Sequence, residues 1–257
     1  MCEILGVCSS QSFQVNDLLN AFFHHSRVCK HGWGLAVFRG CGASLEKEPV
    51  MADDSLYLRR RLTGKVQGAN LLAHIWQATI GRIEYVNCHP FLWEDAGGRA
   101  WTLVHNGTLF ETTGFSRFLD MQEGTTDSEQ LLLYIVEQMN MAIADSAEPL
   151  GAKQRFRILD DLIAEMSAGN KLNLLLYDGE IMYVHTNFRD SLYVLEQPGR
   201  VIFSTTPLLH DGWKKVPMNQ LLAYRSGELL LCGKKHSHEF FEKDHDLTPL
   251  LATFAEL

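Results

Sequence analysis

Residues 173–185 read NLLLYDGEIMYVH, and this stretch decides the class of fold. Its two apolar runs flank Asp178-Gly179, and an Asp-Gly pair between such runs is a strong signal for a β-hairpin. The same arrangement recurs around Pro198-Gly199 and around Ser226-Gly227. Because hairpins pair their strands antiparallel, the last third of the chain predicts antiparallel sheet.

Upstream of residue 173 the chain carries short apolar strands and longer amphipathic segments. Apolar runs predict strands over residues 4–7, 34–38, 70–76 and 100–105. Apolar residues at helical spacing predict helices over residues 15–23, 128–141 and 155–168. Runs of strands, then helices, then strands favour stacked layers over alternating βαβ units. We therefore predict an α+β fold in which antiparallel sheets are covered by helices.

Composition and charge argue against several classes of protein. The chain has 257 residues, 46% hydrophobic and 21% charged, which is ordinary globular usage and predicts one domain over residues 1–257. A net charge of −8 argues against a dedicated nucleic-acid binder, because neutralising phosphates needs a basic surface. No apolar run approaches the roughly 18 residues of a membrane span, and no basic segment precedes Arg27. We expect no nucleic-acid partner, no membrane span and no secretory signal.

The cysteine usage favours a reducing compartment. The six cysteines contain no C-x-x-C pair, and their number is low for a disulfide scaffold of this length. We therefore expect free thiols and a cytoplasmic location. Apart from Cys2, the cysteines are interpreted as buried, inert side chains, namely Cys8, Cys29, Cys41, Cys88 and Cys232.

Cys2 stands where one residue can supply both a nucleophile and a base. Removal of Met1 would leave Cys2 with a thiol and a free α-amine. An α-amine titrates at about 7.7–8.0 and a free thiol at about 8.5, so the amine can accept the thiol proton near neutral pH. N-terminal threonine enzymes use the same arrangement. The competing interpretation is an incidental second residue beside a buried strand.

Asn106 and Gly107 follow the strand predicted over residues 100–105. A strand that ends in Asn-Gly can present the Asn amide and the Gly N–H side by side, which suits a developing oxyanion. The alternative is a plain Asn-Gly turn.

Six blocks of sequence occur in order along the first half of the chain. They are Met1-Cys2-Glu3-Ile4-Leu5-Gly6, His31-Gly32-Trp33-Gly34, Ala73-His74-Ile75-Trp76-Gln77-Ala78-Thr79, Asn87-Cys88-His89-Pro90-Phe91, Val104-His105-Asn106-Gly107 and Thr126-Asp127-Ser128-Glu129. In these blocks and their order the chain resembles the class II glutamine amidotransferases, which are N-terminal-nucleophile hydrolases, and in particular a stand-alone subgroup of them. The resemblance covers nearly the whole chain and implies a four-layer α-β-β-α sandwich of antiparallel sheets.

The resemblance also implies a role for each matching residue. Cys2 would attack a γ-carboxamide and form a γ-glutamyl thioester, with its α-amine moving the proton. The Asn106 side chain and the Gly107 N–H would hold the oxyanion. Asp127 would pair with the α-ammonium of the glutamyl group, and Thr79 would line the pocket. Water would then release glutamate, and neither a cofactor nor a metal ion is expected.

Trp76 departs from the family pattern. Members usually carry an Arg at this position, and that Arg binds the substrate α-carboxylate. Trp has a single N–H donor and cannot form a bidentate pair with a carboxylate. Losing a charge-assisted contact predicts glutamine binding weakened by about 1.5–3 kcal/mol unless another group replaces it. Arg82 and Arg99 are the candidates for that replacement, and Trp76 itself is taken as a substrate-binding residue.

Three functions remain open on the sequence. The first is a glutaminase-type domain that passes ammonia to an acceptor enzyme on a separate chain, because no synthase domain fits in the remaining residues. The second is a γ-glutamyl peptide or conjugate hydrolase, in which Trp76 stacks on a bulkier substrate. The third is a non-catalytic binding subunit with impaired glutamine recognition. The expected ligand is thus glutamine or a γ-glutamyl small molecule, and a homodimer is compatible with each function.

The histidines outside these roles are assigned structural or solvated positions. His74 and His105 lie in apolar strands and are interpreted as hydrogen-bonded core histidines. His236, His238 and His245 have a spacing that a metal ion can use, but neither a cysteine nor an acidic spacing strengthens it. A solvated tail is therefore favoured, and no metal site is predicted.

Overall fold

The computed structural model describes residues 2–27, 29–40, 42–111 and 114–242. Its strands are β1 (Glu3–Gln14), β2 (Gly32–Arg39), β3 (Gly42–Glu48), β4 (Gln67–Trp76), β5 (Phe91–Glu94), β6 (Ala100–Thr108), β7 (Lys171–Tyr177), β8 (Met182–His185), β9 (Tyr193–Gln197), β10 (Arg200–Ser204), β11 (Lys214–Lys215), β12 (Leu222–Arg225) and β13 (Glu228–Cys232). The α-helices are α1 (Asn16–Phe23), α2 (Leu56–Thr63), α3 (Asp127–Ala144) and α4 (Ala152–Met166). Short 3-10 helices span His24–Arg27, Ala52–Asp54, Tyr85–Asn87 and Phe115–Phe118. None of the helices in these ranges is both long and apolar enough to cross a bilayer.

The strands form two antiparallel sheets. The first sheet has the order β11-β9-β10-β1-β4-β2-β3, and the second has the order β13-β12-β8-β7-β6-β5. The three predicted hairpins are present as β7–β8, β9–β10 and β12–β13. Their turns contain glycines with positive φ, namely Gly179, Gly199 and Gly227, which is the backbone conformation that such turns favour.

The two sheets face each other, and helices cover their outer faces. Apolar side chains from both sheets meet between them, among them Ile4, Leu72, Val104 and Leu175. Helices α1 and α2 pack on the outer face of the first sheet, and α3 and α4 pack on the outer face of the second. This is an α-β-β-α sandwich, so the predicted α+β class with antiparallel sheets is confirmed.

Strand β6 differs from its prediction. It continues through Asn106 and Gly107 to Thr108, so the Asn-Gly pair lies inside a strand and forms neither a strand end nor a turn. The reason is non-local, because β7 pairs with this part of β6 and sets Asn106 opposite Asn173 and Gly107 opposite Leu172.

Gly34 is the point where residues 88–90 cross the first sheet. A Cβ on Gly34 would lie 1.9 Å from the carbonyl oxygen of His89 and 2.9 Å from Cδ of Pro90. A Cβ on Gly32 would lie 2.8 Å from Sγ of Cys88. Two of the sequence blocks therefore fit against each other, since the glycines of one leave room for the backbone of the other.

Gly34→Ala is expected to lower the free energy of unfolding by on the order of 3 kcal/mol, because backbone must move to relieve the overlap. Gly64→Ala is the matched control. Gly64 has φ −80°, and the nearest atom to its added Cβ would be the Arg61 oxygen at 3.6 Å. Its effect should stay within about 1 kcal/mol. Urea unfolding measures both, and equal effects would contradict the close approach at Gly34.

Candidate active site

Cys2 lies directly before β1, on the face of the first sheet that is turned toward the second. Ile4 belongs to the core between the sheets, and side chains two residues apart along a strand share a face. The Cys2 thiol donates to the Gln77 carbonyl oxygen, and Sγ accepts from the Gln77 N–H, both at 3.3 Å. Burial raises the pKa of the Cys2 thiol to about 12. In the chain that retains Met1 the thiol is therefore protonated at neutral pH.

Asn106 approaches from the opposite sheet. Val104 lies in the core between the sheets, so Asn106, two residues further along β6, faces the first sheet as well. Asn106 is only 4% exposed to solvent. The Asn106 carboxamide thus lies on the inner face, as Cys2 does.

The Gly107 N–H lies on a strand edge that β5 leaves open. Strand β5 pairs with β6 only as far as Leu103. Beyond that point the His105 N–H donates to Nδ1 of His89 at 3.2 Å, and the Leu109 N–H donates to Oδ2 of Asp127 at 2.7 Å. Alternate N–H groups of a strand point to the same edge, so we infer that the Gly107 N–H points there as well.

Asp127 is the first residue of α3, and Thr126 caps this helix by accepting the Glu129 N–H at 3.2 Å. The N-terminus of a helix favours a negative charge, so this position suits an acidic side chain. Besides burial, the Asp127 charge contributes to the raised pKa of Cys2. The carboxylate is therefore within electrostatic reach of the thiol.

Thr79 joins the segment after β4 to the end of β6. Its hydroxyl lies 3.4 Å from the hydroxyl of Thr108. A chain of contacts thus runs from Cys2 through the 77–79 backbone and Thr108 to Leu109 and Asp127. Sequence reasoning did not assign Gln77 or Thr108 to this set of contacts. Gln77 contacts Cys2 through backbone atoms, and a single Thr forms no recognisable motif.

Trp76 is a wall of the site beside Cys2. It is 3% exposed and packs against Cys2, Ala78 and Cys88. Its ring also meets the His31 ring edge-on, with 6.4 Å between the ring centroids. The aromatic side chain thus fills a buried position next to Cys2.

The two arginines considered as replacements for a carboxylate partner lie in different places. The Arg82 side chain is exposed, and its backbone is held at the rim of the site because its N–H donates to Thr125 Oγ1 and its carbonyl accepts from Asn87 Nδ2. Arg99 immediately precedes β6, so it lies at the opposite end of that strand from Asn106. Its guanidinium donates to the Asp178 carbonyl at 2.9 Å. Arg99 is therefore excluded as the replacement.

Two buried histidines, His74 and His105, form hydrogen bonds beside the site. His74 Nε2 donates to the His105 carbonyl at 3.2 Å, and the His105 ring contacts Ser128 Oγ at 2.9 Å and the Lys171 carbonyl at 3.2 Å. Burial lowers the pKa of His74 to about 3, so this ring is neutral. The prediction of hydrogen-bonded core histidines is confirmed for both residues.

The C-terminal histidines correct a prediction. His236 is half-buried, and its Nε2 lies 3.0 Å from Nε2 of His185, so it is not part of a solvated tail. His238 is exposed and stacks on His236, while His245 lies outside the described residues. In the ranges that the structure covers, no group of three or more His, Cys, Asp and Glu side chains is placed to hold a metal ion.

The remaining cysteines are mostly as predicted. Cys8, Cys29 and Cys88 are buried, as predicted. Cys232 is exposed, because it ends the edge strand β13, so its predicted burial is wrong. Cys41 lies outside the described residues.

Comparison with known sequences decides the family. A family model described as class II glutamine amidotransferases matches residues 1–200. The chain belongs to this family. This class II glutamine amidotransferase is 26% identical over 192 residues to the YafJ protein of Escherichia coli (strain K12), a match that covers 73% of this chain and 74% of that protein.

Solved structures share the fold of this class II glutamine amidotransferase. A predicted glutamine amidotransferase from Pseudomonas aeruginosa PA01 is 21% identical with a TM-score of 0.61, covering 90% of this chain and 100% of that one. The glutamine phosphoribosylpyrophosphate amidotransferase from B. subtilis is 17% identical with a TM-score of 0.61, covering 89% of this chain and 48% of that one. These likenesses agree with the N-terminal-nucleophile hydrolase fold that the resemblance implies.

Proposed function

We propose that this class II glutamine amidotransferase hydrolyses a γ-glutamyl amide with Cys2 as its nucleophile, within one domain over residues 1–257. The observation that carries the proposal is the placement of Cys2. Its thiol is held by the Gln77 backbone on the inner face of one sheet, and Asn106 lies on the inner face of the other. A nucleophile and an amide donor thus border the same space between the sheets.

Removal of Met1 activates this thiol. With Met1 in place, burial keeps the pKa of Cys2 far above neutral and the α-nitrogen of Cys2 is an amide, which cannot act as a base. After removal, the α-amine lies on the same residue as the thiol and has a pKa of about 7.7–8.0 in its unperturbed state. The amine then takes the thiol proton as the sulfur attacks.

The reaction proceeds through a thioester. Sγ forms a bond to the γ-carbonyl carbon, and the carbonyl electron pair moves to oxygen, where the Asn106 amide and the Gly107 N–H donate to it. Collapse of this intermediate breaks the C–N bond, and the leaving amine takes its proton from the α-ammonium of Cys2. Water, deprotonated by the same amine, then cleaves the thioester, which releases glutamate and restores the thiol.

Asp127 and Thr79 orient the glutamyl end. One oxygen of Asp127 accepts the Leu109 N–H, and the carboxylate retains further acceptor positions for the substrate α-ammonium. The Thr79 hydroxyl lines the pocket between Gln77 and Thr108. With these assignments the α-ammonium and the γ-carbonyl oxygen of the substrate each have a partner, and the α-carboxylate has none.

The leaving group distinguishes two candidate substrates. Glutamine releases ammonia, which would pass to an acceptor enzyme on a separate chain. A γ-glutamyl peptide or conjugate releases a larger amine, and Trp76 in place of Arg favours this second candidate. Glutamate release by the processed protein should be measured with glutamine, with a γ-glutamyl dipeptide and with a γ-glutamyl anilide. Release from at least one of them is expected, and release from none would contradict the proposal.

Trp76→Arg is expected to lower the KM for glutamine about 10- to 100-fold, because it restores a charged contact worth about 1.5–3 kcal/mol. The measurement is steady-state glutamate release by the processed variant, after its melting temperature has shown that it folds. Arg99→Ala is the control, since Arg99 lies at the far end of β6. A KM for glutamine that Trp76→Arg leaves unchanged or raises would contradict the role of position 76.

A further inference from the structure

Asn173 is a fully buried amide beside the proposed oxyanion residue. It lies on β7 directly opposite Asn106 of β6. Leu175, two residues along β7, belongs to the core between the sheets, so Asn173 also faces inward. Asn106 and Asn173 are therefore neighbours in one row on the inner face of the second sheet.

The orientation of the Asn173 amide is fixed from one side. The Thr186 hydroxyl donates to Oδ1 of Asn173 at 2.6 Å. Thr186 follows β8, which pairs with β7 on the side away from β6. Because Oδ1 is held on the β8 side, and the oxygen and nitrogen of a carboxamide point in different directions, we infer that Nδ2 is turned toward β6 and Asn106.

Nδ2 of Asn173 has no hydrogen-bond partner among the described residues. An unpaired buried donor is costly, because it has lost its hydrogen bonds to water and gained none in return. Val104 and Leu175, which lie next along this face, are apolar, so an unpaired amide here carries a cost that packing alone does not require. Such a cost fits a group that finds its partner in another state of the site.

We propose that Asn173 is a positioning residue, whose Nδ2–H donates to Oδ1 of Asn106 when substrate occupies the site. This inference rests on the proposed function. The two ends of the Asn106 carboxamide have nearly the same shape but opposite polarity. Only one orientation sets its N–H toward the reacting carbonyl, and the other sets an oxygen against the developing negative charge. A donor on Oδ1 selects the productive orientation in advance.

Asn173→Ala tests this role through the split between kcat and KM. The kcat of the processed variant is expected to fall about 10- to 100-fold, less than for outright loss of an oxyanion donor because Asn106 itself remains, while KM stays within about threefold. Asn70→Ala is the matched control. Asn70 has an unpaired buried oxygen and lies near the start of β4, whereas Trp76 ends that strand. It should leave kcat within about threefold of the parent protein.

A double-mutant cycle separates positioning from a merely structural effect. If Asn173 acts through Asn106, then Asn173→Ala should add nothing to Asn106→Ala. Thr186→Val is a second, milder variant: Thr186 Oγ1 also contacts the Phe188 carbonyl and Ser191, and its loss should lower kcat through a loosened Asn173. Additive losses in the cycle, an unchanged kcat in Asn173→Ala, or an equal loss in Asn70→Ala would each overturn the inference.

The same assays distinguish this inference from the proposed function. If the processed parent protein releases glutamate from no γ-glutamyl substrate, the proposed function fails and this inference fails with it. If the parent protein is active and Asn173→Ala matches it, the inference alone fails. Alkylation of Cys2 by iodoacetamide needs no oxyanion donor, so its rate should be the same in the parent protein and in Asn173→Ala.

Discussion

Cys2→Ala is expected to lower glutamate release by on the order of 10⁴-fold or more, because the thioester cannot form without the thiol. Alanine also has a small side chain, so removal of Met1 is retained and the α-amine remains. The measurement is glutamate release by the processed variant at saturating substrate. The expected loss lies in kcat, since the groups assigned to substrate binding are untouched.

Cys232→Ala is the matched control, because it removes a thiol that lies outside the candidate site. Cys232 is exposed at the end of β13, on the edge of the second sheet away from β6. This variant should keep full activity. Turnover by Cys2→Ala close to that of the parent protein would refute Cys2 as the nucleophile.

Asp127→Asn is expected to lower kcat/KM about 100-fold, mainly through KM. The neutral amide cannot offer a charge to the substrate α-ammonium, and a charge-assisted hydrogen bond contributes about 1.5–3 kcal/mol. Asparagine keeps an oxygen for the Leu109 N–H, so the local fold should persist. Steady-state kinetics with a γ-glutamyl substrate measure the effect.

Asp145→Asn is the matched control, because Asp145 caps the other end of the same helix, α3. It should leave both kinetic constants within about twofold, as expected of a surface substitution. If Asp127→Asn left KM unchanged, or changed kcat alone, Asp127 would not be the partner of the ammonium group.

Local sequence signals predicted the elements that local chemistry determines. The β7–β8 hairpin follows from Asp178-Gly179 between apolar runs, and α3 follows from its apolar spacing and acidic first turn. Strand β3 was not predicted, because it is an edge strand whose three small residues, single leucine and three charged residues form no apolar run. The strand order was not predictable either, since β1 pairs with β4 and β10, which lie far away along the chain.

The candidate site shows the same division. The sequence blocks made Cys2, Asn106 and Asp127 candidates, because the chemistry proposed at each position belongs to the side chain itself. The open edge at Gly107 depends on where β5 stops pairing, and the Gln77 contact uses only backbone atoms. The burial of Trp76 depends on Cys88, because residues 88–90 cross the sheet at Gly32 and Gly34 and bring Cys88 against Trp76. Such features depend on three-dimensional neighbours and had no signal in the sequence.

The most direct test of the central claim is the intact mass of the protein before and after incubation with a diazoketone analogue of glutamine, followed by peptide mapping. We predict that the protein lacks Met1 and gains one adduct, located on Cys2. A protein that lacks Met1, is folded and gains no adduct on Cys2 even when the concentration of the analogue is raised about 100-fold to offset the weakened binding at Trp76 would contradict the account. An adduct on Cys2 in a chain that retains Met1 would contradict it as well, because the α-amine would then not be the required base.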